Sequence, residues 1–174
     1  MIPAFIIHSS SCHERHQVVQ QLQEQTNAIL VEAIILPNRK EGCMESHLKV
    51  AKQAQEHYPN QSYLVFEDDC VLNPNWREAI KTPSDVTYLG YNELCSYAVF
   101  GTHALLISPK ARDILLETTR KHATAVTDPW AFDWILSFIC KTYKVSHTKP
   151  SREDRNKYCF QKLGLKSQIT GNIR

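Results

Sequence analysis

Residues 63–72 read Tyr-Leu-Val-Phe-Glu-Asp-Asp-Cys-Val-Leu, an apolar run that ends in three adjacent carboxylates. The β-branched and aromatic residues of the run predict a buried strand, and hard oxygen ligands at its end suit Mg²⁺ or Mn²⁺. Three neighbouring acids repel one another unless a cation lies among them. Because such an ion commonly also binds substrate phosphates, the stretch points to a nucleotide-containing substrate. A solvated acidic turn is the alternative interpretation.

Strand-like and helix-like segments alternate before this stretch. Strands are predicted at residues 4–7 and 28–36. A helix that begins with a capping box of Ser11 and Glu14 separates them, and a second helix spans about 43–57. This βαβαβ pattern predicts an α/β fold: a single domain with a mostly parallel central sheet flanked by helices. Ligands of such sheets bind beyond the carboxyl ends of the strands, where the three acids lie.

Weaker signals follow the acidic stretch. Short strands are predicted at residues 86–89, 97–100 and 103–107, and a last strand at 143–147. Two pairs, Ser108-Pro109 and Asp128-Pro129, have the residues that favour the first positions of a helix. We therefore expect one helix to begin at each pair.

Composition limits the classes of protein to consider. A chain of 174 residues, 43% of them apolar, can bury one substantial core. The net charge of +2 indicates no general polyanion-binding surface. No apolar stretch approaches the ~20 residues of a membrane span, and the N-terminus lacks a signal sequence, so we expect a soluble, cytoplasmic protein. The six cysteines follow no CxxC or zinc-ligand spacing, which favours reduced thiols.

Several motifs recur in a fixed order. They are Gly42-Cys43-x-x-Ser46-His47-Leu48, then Phe66-Glu67-Asp68-Asp69, then residues 101–111, and an aspartate-containing segment around Asp133. In this order and spacing, over roughly residues 3 to 140, the chain resembles glycosyltransferase family 25, which includes bacterial lipooligosaccharide and procollagen galactosyltransferases. The resemblance implies a GT-A-like, Rossmann-like fold. It also implies metal-dependent transfer of a hexose, galactose or glucose, from a UDP-sugar to an acceptor hydroxyl with inversion.

The resemblance also implies roles for the acids. Asp69 is the first choice for the ligand of Mn²⁺ or Mg²⁺, and Glu67 is a further candidate ligand. Glu67 or Asp68 would otherwise touch the ribose or a metal-bound water. The ion would neutralise the charge that develops on the leaving diphosphate. Inversion needs a carboxylate base, for which Asp133 is preferred. Asp128 is the competing candidate, although its place before Pro129 is also explained as an N-cap.

Further residues are expected around the donor. The end of the first strand, residues 7–11, and Arg15 in the next helix are expected to face the same edge of the sheet as the three acids. By resemblance, the nucleotide would contact this region through His8, Ser9, Ser10 and Arg15. Ser46 and His47 would also contact the donor, and each has a structural alternative, as a helix-start residue and as a packed histidine. His147 is a candidate late metal ligand or a surface histidine. The acceptor, a glycan, a protein or a modified nucleobase, is left open.

Residues 1–148 are expected to form the transferase domain and residues 149–174 a basic tail. Two alternatives stand for the tail: a solvated terminus, or a segment that closes over the donor site. Two other functions also remain open. One is a metal-dependent phosphoryl-transfer or hydrolase domain, against which the chain has no G-x-x-x-x-G-K-[ST] loop. The other is a catalytically silent nucleotide-sugar-binding module.

Overall fold

The computed structural model describes residues 1–91, 93–94, 99–101, 103–122 and 132–162. The strands are β1 Ala4–His8, β2 Ile29–Glu32, β3 Tyr63–Glu67, β4 Cys70–Leu72, β5 Val86–Tyr88, β6 Glu93–Leu94, β7 Val99–Phe100, β8 Ala104–Ile107, β9 His147–Thr148 and β10 Cys159–Gln161. The α-helices are α1 His16–Thr26, α2 Arg39–His57, α3 Pro109–His122 and α4 Phe132–Thr142. Short 3₁₀ turns lie at His13–Arg15 and Trp76–Ile80.

A six-stranded sheet forms the centre, in the order β2-β1-β3-β8-β5-β9. Strand β1 pairs in parallel with β2 and β3, and β5 pairs in parallel with β9. Strand β8 runs antiparallel to both of its neighbours, β3 and β5. The prediction of an α/β fold with a mostly parallel sheet is thereby confirmed. The remaining strands form two small two-stranded sheets, β10–β4 and β6–β7.

Both faces of the sheet are covered by helices. Alternate residues of β3 point to opposite faces, so Tyr63 and Val65 pack with α2, α3 and α4, whereas Leu64 and Phe66 pack with α1 and Trp76. Burial on both faces explains why β3 is continuously apolar rather than alternating. The strand end with its three acids is therefore held from two sides.

Two predicted segment boundaries in the first half are wrong for identifiable reasons. The helix α1 begins after the 3₁₀ turn, with Arg15 at its N-cap position and no side-chain cap. The Ser11 hydroxyl, which was expected to cap a helix, bonds instead to Ser9 Oγ at 2.8 Å. The second helix begins earlier than expected, at Arg39. Asn38 caps it by accepting from the N–H of Lys40 at 3.2 Å.

The predicted strand at 28–36 is also too long, since β2 ends at Glu32. Beyond it, the chain packs on α2 at Gly42, where a Cβ atom would lie 2.6 Å from the Ile34 carbonyl oxygen. Glycine is required by this contact. The segment that leaves the sheet becomes a wall of the site described below.

In the second half of the chain, some predicted features are confirmed and others are wrong. The N-cap prediction at Ser108 is confirmed, because its hydroxyl accepts from the Ala111 N–H at 3.2 Å. The last strand starts at His147 rather than 143, since Lys144 adopts φ 51° and interrupts an extended chain. The Asp128-Pro129 pair lies outside the described residues. The described cysteines are free thiols.

Asp85 joins β5, β9 and the start of α3. Its carboxylate accepts from Ser108 Oγ at 3.1 Å, Lys110 Nζ at 3.0 Å, and the Ser146 backbone and hydroxyl at 3.0 and 2.8 Å. Partial burial acts to raise the pKa of Asp85, but the bonds from Lys110 and Ser146 outweigh it and lower the pKa to about 2.

We predict that Asp85 stabilises the protein only above acidic pH. The folded pKa lies below the unfolded value of about 3.9, so the stabilisation is complete above that pH and is lost as pH falls toward 2. Allowing for solvent screening, Asp85→Asn should lower the free energy of unfolding by about 1–2 kcal/mol at pH 7. Urea unfolding of both proteins between pH 2 and 7 checks this. A difference that does not shrink with acidification would contradict it.

Candidate functional site

The three acids of residues 67–69 lie at one edge of the sheet, where β3 ends and the chain turns into β4. Asp68 and Asp69 are buried, at 3% and 5% exposure, whereas Glu67 is half-buried. Ile7 of β1 pairs with Glu67, so His8 lies at the same edge. The expectation that the end of the first strand adjoins the acids is met by this register.

Asp68 is held entirely by protein groups. One oxygen forms a close ion pair with Arg15 Nη1, and the other lies 2.9 Å from His8 Nδ1. All three side chains are buried. Because both carboxylate oxygens already have partners, Asp68 is better suited to fixing Arg15 and His8 in place than to binding an ion.

Asp69 keeps one oxygen available. Its Oδ2 accepts from Gln161 Nε2 at 2.8 Å and lies 3.3 Å from Arg15 Nη1. Its Oδ1 is buried and has no hydrogen-bond partner among the described residues. Burial, followed by the nearby charge of Glu67, raises the pKa of Asp69 to about 6. An oxygen of this kind, beside a second carboxylate, fits a cation ligand.

Gln161 is a site residue that the sequence analysis missed. Strand β10 pairs antiparallel with β4, and its register places Gln161 opposite Cys70, next to Asp69. The Lys162 N–H also donates to the Asp69 carbonyl oxygen at 2.8 Å. Part of the expected tail therefore packs against the acids, and the only sequence signal was the short run Cys159-Phe160-Gln161 within a polar segment.

A second group of side chains converges on Glu67 from α2. Cys43 and His47 lie four residues apart, one helical turn, and their ligating atoms and that of Glu67 all lie within 4.8 Å of one another. His47 Nε2 is 3.5 Å from Glu67 Oε1. The His47 ring stacks on Phe132, with centroids 3.8 Å apart. Cys43 belonged to a quoted motif but was not expected as a site residue.

The predicted serines have structural partners. Ser46 Oγ donates to the Gly42 carbonyl at 2.7 Å and accepts from the Ile34 N–H at 2.8 Å, which fastens the chain after β2 to α2. Ser10 is exposed, and its N–H and hydroxyl both donate to Glu32 at 3.1 Å. Ser9 is buried and bonds to Ser11.

These groups enclose one pocket. Its apolar wall is the segment Ala33 to Leu36, and its polar wall contains Arg15, His47, Gln161 and the three acids. Arg39 and Cys43, at the start of α2, complete the lining. A pocket with one apolar and one charged wall can hold a ligand that has both a flat apolar part and an anionic part.

The remaining candidates lie elsewhere. Asp133 is in the first turn of α4 and accepts from the Gly101 N–H at 3.3 Å, and its neighbour Phe132 packs against the pocket through His47. His147 is exposed on the edge strand β9. In the strand register, His147 is level with Val86 of β5, Ile107 of β8 and Tyr63 of β3. Tyr63 and Glu67 are at opposite ends of β3. The structure does not bring His147 to the acids, and Asp128 lies outside the described residues.

Solved structures of glycosyltransferases have a similar fold. A glycosyltransferase involved in the glycosylation of the major capsid of PBCV-1 matches with a TM-score of 0.51 and 14% identity over 84% of this chain and 80% of that one. The glycosyltransferase GlyE of Streptococcus pneumoniae TIGR4 matches with a TM-score of 0.52 and 10% identity over 86% of this chain. This chain has a glycosyltransferase fold. It spans 46% of GlyE.

Other comparisons add no relative. No protein-family model and no curated protein sequence matches this chain. The resemblance to glycosyltransferase family 25 therefore stays an expectation. Within the described residues, no helix has the length and apolar character needed to cross a membrane.

We predict that Arg15 is essential to the stability of the acidic strand end. Arg15→Met leaves two buried carboxylates without their counter-charge, a change that typically costs about 3–5 kcal/mol. Exposed Arg152 provides a control, and Arg152→Met should change the free energy of unfolding by less than about 0.5 kcal/mol. Urea unfolding at neutral pH measures both. Equal, small losses would mean that the acids do not depend on Arg15.

Proposed function

We propose that this chain is a metal-dependent, inverting glycosyltransferase that moves a hexose, galactose or glucose, from a UDP-sugar to an acceptor hydroxyl. The observation that carries the proposal is a glycosyltransferase fold whose central strand ends in acids at a pocket. Ligands of α/β sheets bind at this edge. The acceptor is a glycan, a protein or a modified nucleobase, and the proposal covers all three classes.

The donor would lie between the two walls of the pocket. The apolar segment from Ile34 to Leu36 suits the face of a uracil ring, and Arg15 and Arg39 supply positive charge for phosphate oxygens. His8 supports this arrangement indirectly, because it holds Asp68, which in turn orients Arg15. Ser9, Ser10 and Ser46 shape the adjoining chain through their hydrogen bonds.

Asp69 and Glu67 would hold the divalent ion, Mn²⁺ or Mg²⁺. The support is the buried Oδ1 of Asp69, which has no hydrogen-bond partner among the described residues, and the proximity of Glu67. When bound, such an ion neutralises charge on a leaving diphosphate. Gln161 fixes the orientation of the Asp69 carboxylate through its other oxygen. His147 has no part in this proposal because it lies at the opposite end of the sheet.

Asp133 would act as the general base for the acceptor hydroxyl. Its turn of α4 contacts the pocket through Phe132 and His47. The bond from the Gly101 N–H limits the rotation of the carboxylate. A base must lie within hydrogen-bond reach of the hydroxyl that it deprotonates, so the acceptor would approach from the α4 side.

We predict that nucleotide binding requires both a divalent ion and Asp69. UDP at a hundredfold excess over its dissociation constant should raise the apparent stability by about 2.7 kcal/mol with Mn²⁺ present, and EDTA should remove the gain. Asp69→Asn should abolish this gain, because it removes charge at the ion. Asp113→Asn changes an exposed carboxylate on α3 and should retain it.

Thermal shift and calorimetry distinguish the outcomes of this experiment. If no nucleoside diphosphate with any divalent ion raises the melting temperature of the parent protein, the transferase proposal loses its main support. If Asp69→Asn binds Mn²⁺ as the parent does, the ion is held without Asp69 and Glu67 becomes the preferred ligand.

We predict that Asp133→Asn keeps donor binding and loses turnover. A general base typically contributes about 10²- to 10⁴-fold, so UDP release from UDP-galactose or UDP-glucose should fall by that factor. The dissociation constant of UDP should stay near the parent value. Asp128→Asn should be nearly silent, since Asn also caps helices well. The opposite pattern, with only Asp128→Asn inactive, would assign the base to Asp128.

A further inference from the structure

The side chains of Cys43, His47 and Glu67 form a group of which the proposed transfer reaction uses only Glu67. Cys43 and His47 come from one face of α2, and Glu67 comes from the end of β3. Their ligating atoms lie within 4.8 Å of one another, and all three residues line the pocket. A thiol, an imidazole and a carboxylate that converge from two elements form a typical transition-metal ligand set.

His47 provides a second, independent observation. The residue is 97% buried, yet neither ring nitrogen has a hydrogen-bond partner in the part of the chain that the structure describes. A buried polar group without a partner is costly, so a ligand at this position would remove the penalty. Stacking on Phe132, with 9° between the ring planes, fixes the direction in which Nε2 points. The imidazole is therefore already oriented toward Glu67.

The separation of the two donor atoms fits a shared ion. In tetrahedral Zn²⁺ coordination, with Zn–N and Zn–O distances of about 2.0–2.2 Å, two ligand atoms lie about 3.4 Å apart. His47 Nε2 and Glu67 Oε1 are 3.5 Å apart. This distance is long for a hydrogen bond but suitable for two ligands of one ion. The ligating atom of Cys43, on the preceding helical turn, lies within 4.8 Å of those of His47 and Glu67 and is placed to provide a third ligand.

We propose that Cys43, His47 and Glu67 bind a Zn²⁺ ion whose fourth position faces the pocket. A thiolate with an imidazole selects Zn²⁺ or Co²⁺ over Mg²⁺ and Mn²⁺, which prefer oxygen ligands. Three protein ligands with one open position are typical of a reactive site rather than a structural zinc site, and the open position suits an anionic oxygen such as that of phosphate. The argument for this zinc site does not rest on the proposed transferase function. The two proposed ion sites nevertheless share Glu67.

Cobalt substitution tests the proposal, because a thiolate ligand produces a sulfur-to-cobalt charge-transfer band in the near-ultraviolet spectrum. The metal-free protein titrated with Co²⁺ should show this band and visible bands of four-coordinate intensity, saturating at one ion per chain, and Zn²⁺ should displace it. Cys43→Ser should abolish the charge-transfer band. Cys140→Ser, which changes another half-buried thiol, should keep it.

Two further variants separate this site from the one at Asp69. His47→Gln should weaken Co²⁺ binding by at least about tenfold. Asp69→Asn should leave the charge-transfer band intact while losing the UDP-dependent thermal shift. Folding of each variant is checked by circular dichroism, and Cys43→Ser alone tests the ligand set if His47→Gln does not fold.

The outcomes are distinct from those for the transferase. Absence of the band in the parent protein, or its persistence in Cys43→Ser, overturns the zinc site. A normal band in a protein that binds no nucleotide supports the zinc site and removes only the transferase proposal. Loss of the band in Asp69→Asn would also overturn the proposal, because it would show one ion held by the acids rather than a separate site.

Discussion

The ion pairing of buried Arg15 with Asp68 and Asp69 is the interaction on which this structure depends. Two carboxylates at 3% and 5% exposure repel each other and lose hydration, and the guanidinium compensates for both effects. Burial alone would lower the pKa of Arg15, but the charges of the two aspartates outweigh it and raise the pKa above its usual value. Arg15 therefore keeps its positive charge at neutral pH although it is buried.

Because of this pairing, each of the three acids has a different structural role. Asp68 uses both oxygens on Arg15 and His8, so its role is to hold the edge of the sheet together. Asp69 uses one oxygen on Gln161 and Arg15 and presents the other inside the site. Glu67, half-buried at the end of β3, faces Cys43 and His47 on α2. The three acids thus face different groups, apart from Arg15, which contacts both aspartates.

The pocket exists because the chain leaves the sheet early after β2. Gly42 allows the backbone at Ile34 to lie against α2, and the hydroxyl of Ser46 joins the two by accepting from Ile34 and donating to Gly42. The same turns of the helix carry Cys43 and His47. One helix therefore both shapes the apolar wall and supplies two of the three ligands of the proposed zinc site, while β10 closes the opposite side through Gln161.

The sequence by itself determined the helices and strands of the first half, the α/β class, and the place of the acids at the end of a buried strand, because local periodicity encodes these features. It also indicated that His8 and Arg15 adjoin the acids, since parallel strands end at one edge. Only the tertiary structure decided which distant residues contact the three acids. Gln161 contacts Asp69 although 92 residues separate them in the sequence. His147 lies far from the acids because β9 is an outermost strand of the sheet, and periodicity does not encode strand order. Likewise, Cys43 and His47 meet Glu67 only through the packing of α2 on the sheet, so no spacing rule for cysteine could identify them.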